Sequence, residues 1–430
     1  MAYQKPYGMH DILPEEQPCW ERARETFRVL CERYGFGRLD TPVLEQTAVF
    51  LKGVGEGTDI VDKEMYSFTD KGGDDLTLRP EFTAGVMRAY LEEGMRSRPQ
   101  PVKLASIGPT FRRDRPGAGR YRQFHQVNAE IIGTEDAAAD AELVAMAASF
   151  GAALGLGALR VLVNSTGCPA CKPPYLAKLG AFLRGRRDRL SPLDRERVDR
   201  NPLRVLDSKE AETRAAIADV PLLRDDLCAA CRGHFAEVRT LVARAGVEIE
   251  EAPLLVRGLD YYTRTVFEIE SAAAPGAGTL LGGGRYDGLA EMLDGPRTPG
   301  AGFAGGIERM ILALKAVERA PRAPRAPDVF VAYIGAAAKE AAFTLAEDLR
   351  RTGISAVFGL GDKGLKAQMK LADRTGAGLA VIVGEAELAE HDPVGAEGVR
   401  FDGVRADPQE TAVDFAHHVG TRLAKDLGAV

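Results

Sequence analysis

The chain has 430 residues and a formal net charge of −6, with 45% hydrophobic and 27% charged residues. These ordinary values exclude a disordered chain and a protein coated in basic charge. No apolar run approaches the ~20 residues that span a bilayer, and the N-terminal residues lack the features of a secretory signal. The composition therefore predicts a cytoplasmic protein with no membrane partner, which would meet nucleic acid through local basic patches.

The first part of the chain alternates helical and extended patterns. The predicted helices are 15–34 and 81–93, and the predicted strands are 65–69, 76–78, 101–107, 123–132 and 161–164. Residues 36–45 are predicted to be extended, and Pro42 favours an edge or an interface over a central strand. With further strands at 265–269 and 302–306, this pattern of hairpins and long excursions predicts a mostly antiparallel α+β domain.

Two composition breaks divide the chain. Residues 167–245 are rich in Arg, Leu and Asp at helical spacing, which predicts a helical insertion that separates two parts of one larger domain, residues 1–166 and 246–318. Residues 319–327 read RAPRAPRAP, an extended linker. Residues 328–430 form a predicted α/β domain, with strands at 328–333, 354–358 and 379–383 and helices at 336–351, 365–375 and 409–427.

Four cysteines form two C-x-x-C pairs, Cys168 with Cys171 and Cys228 with Cys231. Two such pairs can bind a tetrahedral zinc ion through thiolates. Here the pairs lie 60 residues apart, beyond the usual spacing of a zinc ribbon. Reduced thiols packed in a helical region are the alternative, and the sequence leaves the presence of a metal open.

The densest chemical signal is the segment 111–122, FRRDRPGAGRYR, with five arginines and two glycines. Guanidinium groups suit phosphate oxygens, and glycines let such a loop converge on one ligand. Alternation along 123–132 then places Phe124, Gln126 and Glu130 on one face of a strand. A solvated basic loop is the alternative, but these flanks favour a pocket for a nucleotide and an amino acid.

The segment FRRDRPGAGRYRQFHQVNAE resembles motif 2 of class II aminoacyl-tRNA synthetases, specifically of the histidyl enzymes. Six further blocks match this family in order: GMHDILPEE, FGRLDTPVLE as motif 1, LTLRPEFTAGVMR, LVRGLDYYTRTVFEI, LLGGGRYDGL, and GFAGGIERM as motif 3. The resemblance covers essentially the whole chain. It implies a class II antiparallel-sheet catalytic domain with a helical insertion, followed by a C-terminal α/β anticodon-binding domain.

The resemblance also implies a reaction and its partners. Histidine would react with ATP, with Mg²⁺ as the cofactor, to give histidyl-adenylate and pyrophosphate, and the histidyl group would then pass to the 3′ end of tRNA(His). The enzyme would be a cytoplasmic homodimer that assembles through motif 1 around Pro42. A catalytically silent paralogue that regulates ATP phosphoribosyltransferase is the alternative. Such paralogues typically lack the anticodon domain and an intact histidine motif, and both are present here.

Roles at the ATP end follow from the matched motifs. Arg112 and Arg257 are the implied catalytic residues, on opposite sides of the α-phosphate, because two anions must be brought together there. Phe124 would lie beneath adenine, and Arg309 would bind the γ-phosphate end. The implied ATP-binding residues are Arg112, Asp114, Arg120, Phe124 and Arg309.

Roles at the histidine end follow in the same way. Glu81 and Thr83, with Gln126, would hold the α-amino group. Glu130 and Tyr262 would bind the two imidazole nitrogens. The adjacent pair Tyr261 and Tyr262 is predicted to lie on a strand, so one of the two rings points away from the pocket and packs in the core. The implied histidine-binding residues are Glu81, Phe82, Thr83, Arg112, Gln126, Glu130, Arg257, Tyr261, Tyr262 and Tyr286.

The C-terminal domain carries a basic stripe, with Lys366, Lys370 and Arg374 at successive i+4 steps. A solvated helix face is the usual explanation of such a stripe. With the family resemblance, contact with the tRNA backbone becomes the favoured interpretation. Residues 385–409 match the family only loosely, so the sequence does not predict the anticodon contacts.

Overall fold

The computed structural model describes residues 3–55, 58, 60–320, 326–361, 363–384, 399–401 and 404–405. The chain divides into two compact units, Met1–Arg322 and Ala323–Val430. This division falls inside the predicted linker at 319–327. The predicted helix at 409–427 lies outside the described residues.

The first unit contains eleven described strands. They are β1 (Gly37–Arg38), β2 (Leu44–Gln46), β3 (Tyr66–Thr69), β4 (Asp75–Leu78), β5 (Val102–Phe111), β6 (Gln123–Ile132), β7 (Leu159–Ser165), β8 (Glu250–Glu251), β9 (Thr263–Ser271), β10 (Thr279–Arg285) and β11 (Gly300–Gly306). Eight of them form one sheet in the order β1-β5-β6-β11-β10-β9-β7-β8, and β2-β4-β3 form a second. All neighbours in the large sheet are antiparallel except β1–β5 and β7–β8. The predicted antiparallel α+β fold is confirmed.

The described residues of the first unit also form eleven α-helices. They are α1 (Gln17–Arg33), α2 (Thr47–Val54), α3 (Thr83–Glu92), α4 (Ala137–Leu154), α5 (Lys172–Arg184), α6 (Pro192–Arg200), α7 (Leu203–Leu206), α8 (Ala211–Ala216), α9 (Ala229–Arg244), α10 (Leu289–Met292) and α11 (Ile307–Ala316). Phe27 of α1 and Phe150 of α4 pack edge to face, and Phe27 also meets Phe303 of β11. These contacts place the main core between α1, α4 and the sheet.

Helix α4 is long and apolar enough to cross a membrane by length and composition, but 67% of it is buried inside the protein. It packs against the sheet as a core helix does. Its N-terminus is capped by Asp136, whose carboxylate accepts a 2.9 Å hydrogen bond from the N–H of Ala138.

Five helices, α5 to α9, occupy the region of the predicted helical insertion. Tyr175, Leu179 and Leu183 of α5 are buried in a separate apolar cluster formed largely by this region. Helix α9 also packs on α4, with Val238 and Val242 in the main core. The insertion is therefore attached to the main core of the first unit through its last helix.

The second unit has a mixed sheet in the order β13-β12-β14-β15-β16. Its elements are β12 (Val329–Ile334), α12 (Ala336–Arg351), β13 (Ala356–Phe358), α13 (Leu365–Thr375), β14 (Leu379–Gly384), β15 (Val399–Phe401) and β16 (Val404–Arg405). Strands β12, β13 and β14 pair in parallel, and β15 and β16 continue the sheet antiparallel. The predicted α/β architecture is confirmed.

Candidate active site

A buried carboxylate lies at the centre of the candidate pocket. Glu130 on β6 is 0% exposed. Its Oε1 accepts hydrogen bonds from the Thr83 hydroxyl at 2.6 Å and the Asn128 amide at 3.0 Å, and its Oε2 accepts one from the Tyr286 hydroxyl. A Cβ on Gly302, its partner on β11, would lie 1.5 Å from Oε2, so only glycine fits opposite this carboxylate. Burial raises the pKa of Glu130 to about 8.

A second buried carboxylate belongs to Glu81, at the start of α3. It accepts hydrogen bonds from the backbone N–H groups of Thr83 at 2.6 Å and Ala84 at 2.9 Å. These are the otherwise unpaired donors of a helix N-terminus, so Glu81 caps α3. Burial nevertheless raises the pKa of Glu81 above its usual range. The structure thus brings together Glu81, Thr83 and Glu130, three of the residues implied for the histidine end.

Aromatic rings form one wall of this pocket. The ring centroids of Tyr261 and Tyr262 lie 4.7 Å apart, and Tyr261 lies 5.8 Å from Tyr286. The prediction that one ring of the adjacent pair points away was wrong: both tyrosines precede β9 and do not lie on a strand, and both are buried in the cluster that holds Tyr286. Phe82 is buried in the same cluster beneath the guanidinium group of Arg79, 4.1 Å from its ring centroid.

Two buried polar atoms of the predicted site residues have no hydrogen-bond partner among the described residues. The side-chain oxygen of Gln126 on β6 is buried and makes no hydrogen bond, and the same holds for Nε of Arg257. A buried polar group without a partner is costly, so such atoms indicate where a polar ligand binds.

Arg257 packs against β10, the strand that contains Gly282, Gly283 and Gly284. Its guanidinium group pairs with Glu268 of β9, whose other oxygen accepts a 2.8 Å hydrogen bond from Thr279. A Cβ on Gly282 would lie 2.7 Å from that guanidinium group, so the glycine makes room for it. Glu268 and Thr279 position this arginine, and sequence reasoning missed both. No local pattern signals this role, because the pairing of Glu268 with Gly282 on the neighbouring strand exists only in the folded sheet.

The motif 2 loop contributes further cations. Arg112 donates from Nε to the carbonyl of Pro80 at 2.9 Å, and its guanidinium carbon lies 5.4 Å from the Phe124 ring centroid. Burial lowers the pKa of Arg112, while Glu64 and Glu81 oppose this. Arg120 pairs with Asp114 at 3.1 Å. The alternative of a solvated basic loop therefore fails for Arg112.

Arg309 on α11 meets the same loop. It donates to the carbonyls of Thr279 at 2.9 Å and Gly119 at 3.3 Å. Gly119 has φ +65°, and a Cβ there would lie 3.0 Å from the Arg309 side chain. Burial, followed by the charges of Arg120 and Arg112, lowers the pKa of Arg309. The structure thus gathers four arginines, Arg112, Arg120, Arg257 and Arg309, into a region suited to a polyphosphate.

The basic stripe of the second unit lies on α13. Lys366, Lys370 and Arg374 are exposed, whereas Gln368 and Ala372 face the sheet. Gln368 donates to the carbonyl of Tyr333 at 2.7 Å and accepts from its N–H at 3.1 Å. The helix is thereby fixed with its basic face outward.

Comparison with known families decides the assignment of the chain. A family model described as histidyl-tRNA synthetase matches residues 8–310, and one described as an anticodon binding domain matches residues 328–395. The chain belongs to the histidyl-tRNA synthetase family. The resemblance seen in the sequence motifs is confirmed.

Individual relatives agree with the family assignment. A histidine–tRNA ligase of Pelotomaculum thermopropionicum is 47% identical over 411 residues, which cover 94% of this chain and 97% of the relative. The solved structure of apo histidyl-tRNA synthetase from S. aureus is 35% identical, with a TM-score of 0.75 and coverage of 90% of this chain and 93% of that chain.

A more distant structure bears on the regulatory alternative. An ATP phosphoribosyltransferase regulatory subunit/histidyl-tRNA synthetase from Bacillus halodurans is 22% identical, with a TM-score of 0.63. It covers 86% of this chain and 97% of that chain. At this identity the likeness shows the fold alone.

Proposed function

We propose that this chain is a working histidine–tRNA ligase, which activates histidine with ATP and then charges the 3′ end of tRNA(His). The observation that carries the proposal is the buried Glu130 carboxylate, ringed by hydroxyl and amide donors and adjoined by four converging arginines. In this assignment the segments 1–166 and 246–318 form the catalytic domain, 167–245 the insertion, 319–327 the linker, and 328–430 the anticodon-binding domain.

Histidine specificity is assigned to the buried end of the pocket. Glu130 accepts from one imidazole nitrogen, and Tyr262 faces the other. Glu81, Thr83 and the free oxygen of Gln126 hold the α-amino group. Phe82, Tyr261 and Tyr286 form the wall that excludes water, since all three are buried.

Adenylation is assigned to the arginine end. The histidine carboxylate attacks the α-phosphorus, the bond from that phosphorus to the bridging oxygen breaks, and pyrophosphate leaves. Arg112 and Arg257 stabilise the negative charge that gathers on the α-phosphate. The ring of Phe124 lies beneath adenine, and Arg309 and Arg120, the latter oriented by Asp114, hold the distal phosphates.

Magnesium would enter this site with the ATP phosphates, because Mg²⁺ is usually held by one or two carboxylates and by substrate phosphates. The residues present fit such an ion. Glu268 offers a carboxylate whose charge acts on the guanidinium groups of both Arg257 and Arg309. The ion would neutralise phosphate charge when bound.

We also propose an oligomeric state and a cellular location for the enzyme. Around motif 1, Val43 and Leu44 are 38% and 39% exposed, and Phe68 on the same small sheet is 47% exposed. Exposed apolar side chains that gather on one sheet favour a protein interface. We assign this sheet to a homodimer interface, and we place the enzyme in the cytoplasm, where translation takes place.

The first prediction tests the amino acid that is activated. ATP–pyrophosphate exchange, measured with each of the twenty amino acids, is expected to be stimulated by histidine alone, because a site built for two imidazole hydrogen bonds rejects ligands that leave one unpaired. A regulatory paralogue would give no exchange with any of them. Pyrophosphate exchange that is stimulated by another amino acid, and not by histidine, would contradict the assignment as a histidine–tRNA ligase.

A second prediction concerns the basic stripe on α13. The double variant Lys366→Glu/Lys370→Glu should weaken tRNA binding by about tenfold or more and reduce its salt slope by about two, if both lysines contact phosphates. Histidine-dependent pyrophosphate exchange should not change. Arg351→Glu on α12, which reverses another exposed charge in the same unit, is the matched control. If the wild type and both variants bind tRNA with equal affinity, the stripe is a solvated helix face that does not contact tRNA.

A further inference from the structure

The fold brings the two C-x-x-C pairs into one cluster. Cys168 and Cys171 precede α5, whereas Cys228 caps α9 and Cys231 lies in its first turn. All four sulfur atoms lie within 4.8 Å of one another. Folding of the insertion therefore brings together two cysteine pairs that lie 60 residues apart in the sequence.

The spacing of the sulfur atoms is that of metal ligands. The Sγ atoms of Cys168 and Cys171 are 3.7 Å apart, and those of Cys168 and Cys228 are 4.0 Å apart. Tetrahedral thiolates at about 2.3 Å from zinc lie about 3.8 Å from one another. A disulfide needs about 2.05 Å, and all four thiols are free.

Backbone donors are also directed at the sulfur atoms. The N–H of Cys228 donates to Sγ of Cys171 at 3.1 Å, and the N–H of Cys231 donates to Sγ of Cys228 at 3.5 Å. Gly167, with φ +67°, makes the turn into the first pair, and a Cβ there would lie 2.9 Å from the Cβ of Cys171. Such donors stabilise negative sulfur, which is the form that binds a metal.

Simple packing of reduced thiols explains the cluster less well. A structural cysteine that acts as a small apolar residue is buried among carbon atoms. Here Cys168 and Cys228 are partly exposed, and the four sulfur atoms meet one another. Four thiolates with no open position are the ligand set of a structural metal site.

We propose that Cys168, Cys171, Cys228 and Cys231 bind one structural Zn²⁺ ion. Tetrahedral S₄ sites take zinc or iron, and zinc suits a site that no redox step uses. The ion joins the start of α5 to the start of α9 and so closes the insertion on itself. Because thiolates bind the metal only when the fold brings them together, its binding free energy stabilises that fold.

The position of the cluster gives the ion a link to the histidine pocket. Lys172, directly after Cys171, donates from Nζ to the carbonyl of Tyr262 at 3.3 Å. The backbone N–H of Arg264 donates to the carbonyl of Gly167 at 2.8 Å. The zinc site thus holds the segment that supports the backbone of a pocket tyrosine.

Metal content of the full-length protein tests the proposal directly. Purified with reductant, or reconstituted with zinc alone, the chain should contain one zinc per chain by mass spectrometry of the metal. The variant Cys168→Ser/Cys228→Ser should contain none, and Cys31→Ser, at a buried cysteine outside the cluster, should retain it. A chelator should lower the melting temperature of the wild type and of Cys31→Ser.

A second measurement does not depend on the folding of any variant. Titration of the wild-type protein with a mercurial, in the presence of a zinc-sensitive dye, should release one zinc as four thiols react. A wild-type protein that binds no zinc even when zinc is supplied would overturn the proposal, as would stoichiometric iron in its place. Neither result depends on the histidine-dependent exchange that tests the proposed function.

Discussion

Arg257→Ala is expected to lower the rate of histidyl-adenylate formation by about 10²-fold or more, comparable to the loss of one preorganised donor to a developing charge. The cation contributes mainly in the transition state, so the rate should fall more than the affinity for histidine. Single-turnover adenylation and pyrophosphate exchange, each at several histidine concentrations, separate the two effects.

Loss of the arginine also leaves Glu268 without its ionic partner, and an unpaired, largely buried carboxylate destabilises the fold. The double variant Arg257→Ala/Glu268→Gln removes that charge. It should recover part of the lost melting temperature and none of the lost adenylation. Recovery of both would assign Arg257 to the fold of the pocket.

Gly282→Ala tests the same arginine without removing its charge. The added Cβ would lie 2.7 Å from the guanidinium group and must displace it, so adenylation should fall by roughly tenfold while the melting temperature changes little. Gly288→Ala is the matched control, because a Cβ there meets nothing within 4 Å. Near-wild-type exchange in both Arg257→Ala and Gly282→Ala would show that the position of Arg257 does not matter for catalysis.

Helices and strands with a strong hydrophobic periodicity were predictable from the sequence. Strand β6 occupies the predicted residues Gln123–Ile132, and α1 begins two residues after the predicted start and ends one before the predicted end. Alternation along β6 is enough to predict that Glu130 and Gln126 share one face of the strand. The motif blocks then supplied the arginines, whose convergence no local pattern encodes.

Other elements were missed for physical reasons. Helix α4 is buried on most of its surface, so its apolar residues show no single face and give no helical period. The glycine run 282–284 carries no side chains to alternate, yet it forms the central part of β10. Glycine is required there, since a Cβ on Gly283 would lie 2.1 Å from the carbonyl oxygen of Gly302.

Contacts between distant segments lay beyond the sequence for another reason. Glu268 alternates with apolar neighbours along β9, as a solvent-facing glutamate does, and only the sheet places it against Arg257. The cysteine cluster likewise depends on how α5 and α9 pack. Local pattern therefore predicts which residues face the core, whereas partners across the fold need the fold itself.

Glu130→Gln is expected to weaken histidine binding by about 1.5–3 kcal/mol, because the amide cannot take the ionised form in which Glu130 accepts a hydrogen bond from the bound imidazole. ATP affinity should hardly change, since the contacts assigned to ATP belong to Phe124, Arg112 and Arg309. Calorimetric titration of each ligand measures both affinities. Glu142→Gln, which neutralises a carboxylate of α4 outside the pocket, is the control. Equal losses of histidine and ATP affinity would mean that Glu130 supports the pocket and does not bind the imidazole.

The same variant should change how the stability of the empty enzyme depends on pH. The pKa of Glu130 is raised by burial from 4.5 to about 8, so the folded chain keeps a proton that the unfolded chain has lost. Stability from this group is complete below pH 4.5 and is lost as the pH rises toward 8. The wild type should therefore lose more melting temperature between about pH 6 and pH 8 than Glu130→Gln does, because glutamine cannot ionise. Saturating histidine should reduce the wild-type loss, since a bound imidazole gives the ionised carboxylate a donor. If the melting temperatures of the two proteins fell by the same amount across this pH range, Glu130 would not be the group that titrates.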